Sequence, residues 1–241
     1  MNIIKLSAIN STNDYLKQMS ADITMQNFTV VTTESQTSGR GQMGAIWVAE
    51  PGKNLTFSIL LKDVLLKTDD IFTLNICVAV SIAHVLSSHS IPGVKIKWPN
   101  DILAENKKIG GILIENSFKS NGAIQSIIGI GLNVNQGNFE GMATAGSLFT
   151  VTGRTFSREV LLTEILQGIK NNTDAMIQDP DELWSSYHSL LFKKNIPMPF
   201  EKNNQKFMGI IKGVSRNGRL QLILEDDITY EYGIKEIKML Y

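Results

Sequence analysis

Three short segments of this chain set charged and amide side chains beside glycine. They are Gly39-Arg40-Gly41-Gln42-Met43-Gly44-Ala45-Ile46-Trp47, then Lys97-Trp98-Pro99-Asn100-Asp101, then Lys107-Lys108-Ile109-Gly110-Gly111-Ile112-Leu113-Ile114-Glu115. Glycine has no Cβ, so its backbone can approach a ligand closely and offer its N–H. Arginine and lysine beside it place positive charge where an anion would sit. Three such segments in one small domain imply a single anionic ligand held from several sides.

Generic anion-binding motifs do not account for them. Gly39-x-Gly41-x-x-Gly44 matches the dinucleotide fingerprint letter by letter. That fingerprint needs a helix to begin inside it, so that the helix N-terminus meets a pyrophosphate. Here Ala45-Ile46-Trp47-Val48-Ala49-Glu50-Pro51-Gly52 follows, and a proline–glycine turn arrives too soon. Gly52-Lys53-Asn54 lacks the upstream glycine and the Ser/Thr of a P-loop, and no Gly-x-Ser-x-Gly elbow is present. His84, His89 and His188 show no metal-ligand spacing, so no protein metal site is expected. What remains is a site of loops and hairpins around an anion.

The elements that must position these segments can be read from periodicity and turn residues. Ser11-Thr12-Asn13-Asp14 before Tyr15-Leu16-Lys17 reads as a helix start with an acid in the first turn. Phe28 to Thr33 is β-branched and aromatic, hence a strand running into the Gly39 loop, and Asn54 to Leu61 is its partner. Asp69 to Ser88 is apolar at helical spacing and predicts a long buried helix. Val94 to Trp98 is a short strand ended by Pro99. Ile102–Ala104 and Ile109–Glu115 form a hairpin around Glu105-Asn106-Lys107-Lys108. Ile124 to Leu132 is a buried strand, and a loop from Asn135 to Gly146 follows. Ser157 caps a helix to about Ile177, and a shorter one spans Pro180 to Leu190.

After Phe192 the character changes. Strand-like segments at 206–213, 219–224 and 229–232, separated by Asn217-Gly218 and Glu225-Asp226-Asp227, suggest a small β-barrel. The boundary falls near Lys193–Asn195, giving domains 1–192 and 193–241. Strands and helices do not alternate regularly in the larger part, so the expected class is α+β, a mixed β-sheet flanked by helices.

Composition limits the partners. Hydrophobic residues at 43% and charged ones at 19% are ordinary for a globular protein. Twenty-three basic residues balance twenty-three acidic ones, which removes the basic footprint of a nucleic-acid binder. The single cysteine, Cys77, lies among apolar neighbours and reads as a small buried hydrophobe. The amino terminus is too short in apolar run for a signal peptide. No stretch is read as approaching the roughly 18–20 apolar residues that span a bilayer. A cytoplasmic protein without membrane contact is expected.

Five segments, taken in order, resemble the biotin protein ligases. They are Ser11-Thr12-Asn13, Gln36 through Trp47, Lys97 through Asp101, Lys108 through Glu115, and Gly129-Ile130-Gly131-Leu132-Asn133-Val134-Asn135. The resemblance continues into the carboxy-terminal barrel. It implies a class II synthetase-like catalytic domain with an SH3-like barrel, and a two-step reaction. Biotin and ATP, with Mg²⁺, give biotinyl-5′-AMP and pyrophosphate. Biotin then passes to a lysine of a biotin carboxyl carrier domain.

The resemblance also assigns roles. Ser11, Thr12, Asn13 and Gln36 suit the polar ring of biotin, with Gly39, Gly41 and Gly111 allowing close approach. Arg40 and Lys108 meet the carboxylate and later the phosphate, and Lys107 is the exposed lysine of the pair. Trp47 closes over the apolar tail, while Trp98 is packing. Asn100 and Asn133 are expected at the nucleotide, with Arg40, Gln42 and Lys108 on its phosphate. Asp101 accepts the proton of the incoming lysine, which must be neutral to attack. The Gly137–Gly146 loop is expected to shield the anhydride from water.

Two departures stand out. This sequence starts shortly before Ser11, so a form lacking the amino-terminal DNA-binding domain of repressor-type members is expected. Gln42 stands where the family often has arginine, leaving one cation fewer at the phosphate. A lipoate or octanoate ligase or transferase of the same fold remains an alternative, and a biotin-responsive DNA-binding regulator is a more distant one. Self-association as a homodimer through the catalytic sheet stays open.

Overall fold

In Leu55–Lys62, Leu55, Phe57, Ile59 and Leu61 enter the main core, while Thr56, Ser58 and Leu60 take the opposite face. Ile124–Leu132 repeats this pattern: Ile128, Ile130 and Leu132 pack in the main core, with Ile127, Gly129 and Gly131 opposite. One face is therefore bulky and dry. The other is small and polar, with room for a site.

The structure is a computed structural model that describes residues 1–22, 24–64, 71–119 and 122–241. Its larger sheet contains β1 (Ile3–Ile9), β2 (Val30–Gln36), β3 (Leu55–Lys62), β4 (Lys95–Lys97), β5 (Asp101–Ala104), β6 (Lys107–Phe118) and β7 (Ile124–Leu132). The order is β1-β2-β3-β7-β6-β5-β4. β1 and β2 are parallel and the remaining pairs antiparallel, so the sheet is mixed as expected. Helix α2 (Ile71–Ser88) packs on the bulky face, backed by α4 (Arg158–Gln178) and α5 (Asp181–Leu190). Helix α1 (Thr12–Met19) covers part of the other face, where Leu16 meets Val31, Leu60 and Ile127. The short α3 (Leu148–Thr152) follows the loop after β7.

A second sheet holds β8 (Pro197–Lys202), β9 (Gln205–Val214), β10 (Leu220–Ile223), β11 (Thr229–Tyr232) and β12 (Lys238–Met239), all antiparallel. This is the small antiparallel unit expected after Phe192. Its Phe200, Ile211, Leu220 and Leu222 join the same apolar cluster as α2 and α5. Trp98 is buried at this seam and donates from Nε1 to the Gly218 carbonyl at 2.9 Å, consistent with a packing role.

Several expectations need correction. The strand expected from Phe28 starts at Val30, because Phe28 has φ 61° and breaks the extension. The turn between β5 and β6 is only Glu105-Asn106, both at positive φ, so Lys107 and Lys108 already belong to β6. The helix expected from Asp69 begins at Ile71 among the described residues, and Asp69 and Asp70 lie outside them. Helix α2 is, by length and composition, apolar enough to cross a membrane, contrary to the sequence reading. Here 61% of it is buried, packed against β4, β5, β6, α4 and α5 as a core helix.

Candidate active site

Strand register assembles the site. Thr56, Gly131, Gly111, Asp101 and Lys97 are lateral neighbours across β3, β7, β6, β5 and β4. One step along the same face, Ser58, Gly129 and Leu113 form a second row. The start of α1 and the 39–47 loop lie over these rows and enclose a cavity of about 230 Å³. Two glycines of β7 make its floor thin. A Cβ at Gly129 would stand 2.4 Å from Asn13 Oδ1, and one at Gly131 would stand 2.4 Å from Trp47 Cε2.

One end of the cavity is neutral and polar. Ser11, Thr12 and Asn13 line it and are buried, and Ser58 is buried behind them. Ser11 caps α1 by accepting from the Asp14 N–H at 3.3 Å. Thr12 donates from N and Oγ1 to Gln36 Oε1, at 2.8 and 3.0 Å. Ser58 Oγ lies 2.7 Å from Thr12 Oγ1 and 2.6 Å from Asn13 Oδ1. It has one proton for two acceptors, so a lone pair at this end stays available to a donor. Asn13 Nδ2 donates to Glu115 Oε2 at 2.7 Å.

The other end is charged, and every cation there has a resident carboxylate. Arg40 Nη2 is 2.6 Å from Asp14 Oδ1 and 2.9 Å from Glu115 Oε2. Lys108 Nζ is 2.6 Å from Asp101 Oδ1, and Lys97 Nζ is 3.3 Å from Asp101 Oδ2. Asn100 is locked to β6, donating from Nδ2 to the Ile112 carbonyl at 2.7 Å. The Trp47 indole lies against Gly111 and Gly131 with its buried Nε1 unpartnered.

Beyond Gln42 and Lys97 a wider groove of about 810 Å³ opens toward the second sheet, bordered by Thr144, Lys202, Lys235 and Lys238. Lys235 Nζ donates to the Met43 carbonyl at 2.8 Å, so the turn between β11 and β12 holds the tip of the glycine loop.

Of the residues singled out from sequence, Ser11, Thr12, Asn13, Gln36, Arg40, Gly41, Gln42, Trp47, Asn100, Asp101, Lys108 and Gly111 line this one cavity. Gly39 and Asn133 do not. Gly39 pairs with Trp47 instead, where a Cβ would meet the Trp47 carbonyl at 2.4 Å. Asn133 donates from Nδ2 to the Gly146 carbonyl at 2.9 Å and so pins the end of the 137–146 loop, with its Oδ1 buried and unpartnered. Lys107 is exposed and binds the Ala143 carbonyl, whereas Lys108 turns into the cavity.

Residues 6–133, more than half of the chain, match the Biotin/lipoate A/B protein ligase family. The chain belongs to that family. It is 34% identical to the bifunctional ligase/repressor BirA of Bacillus spizizenii over 85% of its own length, and spans 64% of that relative. Against the biotin--[acetyl-CoA-carboxylase] ligase of Mycobacterium tuberculosis it is 25% identical, covering 80% of this chain and 72% of the other. The fold is similar to that of the Aquifex aeolicus biotin protein ligase in complex with biotin and ATP. The TM-score is 0.81, with 25% identity over 99% of this chain and 98% of that one.

Within the family fold, three residues of the cavity network carry no motif signal strong enough to assign from sequence. Ser58 is one of two hydroxyls, with Thr56, that interrupt the apolar run Leu55-Thr56-Phe57-Ser58-Ile59 on the site face. Asp14 looks like an ordinary first-turn acid, and Glu115 like the solvent end of a strand. Only the fold brings both carboxylates to Arg40.

Proposed function

We propose that this protein is an ATP-dependent biotin ligase. It joins biotin and ATP into biotinyl-5′-AMP and transfers the biotinyl group to a lysine of a biotin carboxyl carrier domain. The observation that carries this reading is the pairing, in one narrow cavity, of a buried neutral hydrogen-bonding end with a cationic end. A ureido ring has N–H donors and a carbonyl acceptor for the Ser11–Thr12–Asn13–Gln36 end. A dithiolane has none, and would leave those buried groups facing sulfur, which favours biotin over lipoate.

In the first step a carboxylate oxygen attacks the α-phosphorus, and the bond to pyrophosphate breaks. Arg40 and Lys108, which line the cavity, bear the charge on both anions in this reading. Mg²⁺ would come with the triphosphate, since phosphate oxygens, water and one or two carboxylates complete its six ligands. In the second step the lysine nitrogen attacks the acyl carbon and AMP leaves. Asp101, facing the cavity, takes the proton. The nucleotide extends past Gln42 toward Thr144, because the inner cavity of about 230 Å³ has no room for it beside biotin. Residues 1–192 thus hold both substrates, and residues 193–241 support the glycine loop through Lys235 and border the entrance.

The decisive measurement is ATP–pyrophosphate exchange, first with biotin and then with lipoate, in the presence of Mg²⁺ and without any carrier. Exchange driven by biotin supports the assignment. Exchange driven by lipoate alone moves the protein to the other branch of the family.

A further inference from the structure

Glu115 does not itself line the cavity, but it bonds to one lining residue from each of its ends, Asn13 and Arg40. Its Oε2 accepts from Asn13 Nδ2 at 2.7 Å and from Arg40 Nη2 at 2.9 Å. A continuous chain therefore runs Gln36–Thr12–Ser58–Asn13–Glu115–Arg40, from the neutral end to the charged one. Glu115 is carried by β6, which is paired to β7 at Ile127, and its side chain is 24% exposed. Arg40 sits on a loop whose one ladder contact is the bridge to Ile46. A loop arginine needs an anchor on the sheet if its guanidinium is to be aimed.

The geometry also says which part of Arg40 is left to bind. Only Nη2 is hydrogen-bonded among the described residues, to Asp14 and Glu115. A guanidinium has five N–H donors, so Nη1 and Nε remain to grip an anion while Nη2 stays tethered. The resident ion pair then acts as a mount for Arg40 and does not block the site.

We propose that Glu115 is a positioning residue that acts through Arg40. It ties the seating of the ring beside Asn13 to the aim of the guanidinium at the substrate's anionic end. This rests on the biotin reading above. Holding a charged group in place before the reaction speeds the chemical step more than it tightens ground-state binding. Asn13, in contrast, needs only an acceptor oxygen, which glutamine retains.

The test uses the full chain with Glu115→Gln, Arg40→Gln and the double variant. Biotin affinity is read by calorimetry without ATP, and adenylate formation by single turnover with labelled biotin. Glu115→Gln is expected to keep the biotin Kd within about threefold and to slow adenylate formation at least about tenfold. Glu115→Asp should recover part of that rate. In the Arg40→Gln background, adding Glu115→Gln should change the rate by less than about twofold, because the path through Arg40 is already gone. An equal loss of biotin affinity and rate, or the same rate loss with and without Arg40, overturns the proposal. So does a wild-type rate in Glu115→Gln. A wild-type protein that makes no adenylate from biotin removes the ligand reading itself, and that result is separate from any Glu115 pattern.

Discussion

Gly129→Ala adds one methyl group to the floor of the cavity and tests the polar end directly. The new Cβ would lie 2.4 Å from Asn13 Oδ1, where ordinary contact begins at 3.4 Å, so the oxygen must retreat by about 1 Å. Asn13 has little freedom to do so, since Oδ1 is 2.6 Å from Ser58 Oγ and Nδ2 is 2.7 Å from Glu115. A retreat of that size stretches the Ser58 contact to about 3.6 Å, beyond hydrogen-bond range. Ser58 is fully buried and Asn13 is 3% exposed, so water does not replace the lost partner. Stranding a buried polar group costs about 1–3 kcal/mol, and crowding a packed site adds about 1–3 kcal/mol more. The expected loss of stability is about 2–6 kcal/mol, with biotin affinity down about tenfold as Asn13 moves off its ligand.

Denaturant unfolding measures the first quantity and titration calorimetry with biotin the second. Gly131→Ala is the matched control, since its Cβ would also come within 2.4 Å of a side chain, here Trp47. Trp47 lies on a loop and its Nε1 has no partner to lose, so the indole can swing away. That variant should lose biotin affinity with a stability change below about 1 kcal/mol. The reasoning is refuted if Gly129→Ala unfolds like the wild type and binds biotin within about twofold of it.

Three other outcomes are expected. Burial pushes the Cys77 thiol up to about 12, so iodoacetamide should leave the native protein unmodified and label it only on unfolding; native labelling would show that α2 opens. Burial also lowers the pKa of His188, which accepts from the Val214 N–H at 3.2 Å. A depressed pKa means the unfolded chain binds the proton first, so this stability is present above the ordinary value of 6.5 and is lost as pH falls through the folded value. His188→Gln should flatten the acid side of the stability curve relative to wild type, and an unchanged curve would rule His188 out. Gln42 borders both the cavity and the outer groove, so Gln42→Arg should hold biotinyl-5′-AMP about fivefold longer; equal or faster escape, timed after pre-forming the adenylate, means the side chain does not face the phosphate.

Most of the larger sheet was legible because its strands alternate strongly, as in Leu55–Lys62, and its helices carry clear caps, as at Ser11 and Ser157. The strands missed are those in which other constraints blur the pattern. β1 is a half-exposed edge strand with no clean alternation. β8 contains Pro197 and Pro199, which cannot donate to a ladder and so read as loop. β12 is only two residues long. The site shows the same division. Most residues singled out from the motifs line the cavity, whereas Ser58 and Asp14 lie outside the glycine-rich segments, and Glu115, although it ends one of them, takes its place through contacts up to 102 residues apart in sequence. Asn133 sits in a motif, yet its amide serves the 137–146 loop.

The charged end of the cavity is balanced, and this makes a testable demand on how anions bind. Arg40 is matched by Asp14 and Glu115, and Lys108 and Lys97 by Asp101, all within 3.3 Å. At Lys108 an incoming phosphate therefore exchanges places with a resident carboxylate, whereas Arg40 keeps its carboxylates on Nη2 and meets the phosphate with Nη1 and Nε. For Lys108 the carboxylate it gives up is Asp101, the group assigned to take the proton in the second step. As Lys108 turns to phosphate, Asp101 loses its nearer partner and keeps only Lys97 at 3.3 Å. Asp101→Asn should then have two opposite effects. It frees both lysines, so pyrophosphate alone should bind about tenfold tighter, one charge-assisted contact's worth. It removes the proton acceptor, so transfer from pre-formed adenylate to the carrier should slow more than exchange does. Pyrophosphate binding that is unchanged or weaker in Asp101→Asn would mean that Lys108 does not trade one anion for the other.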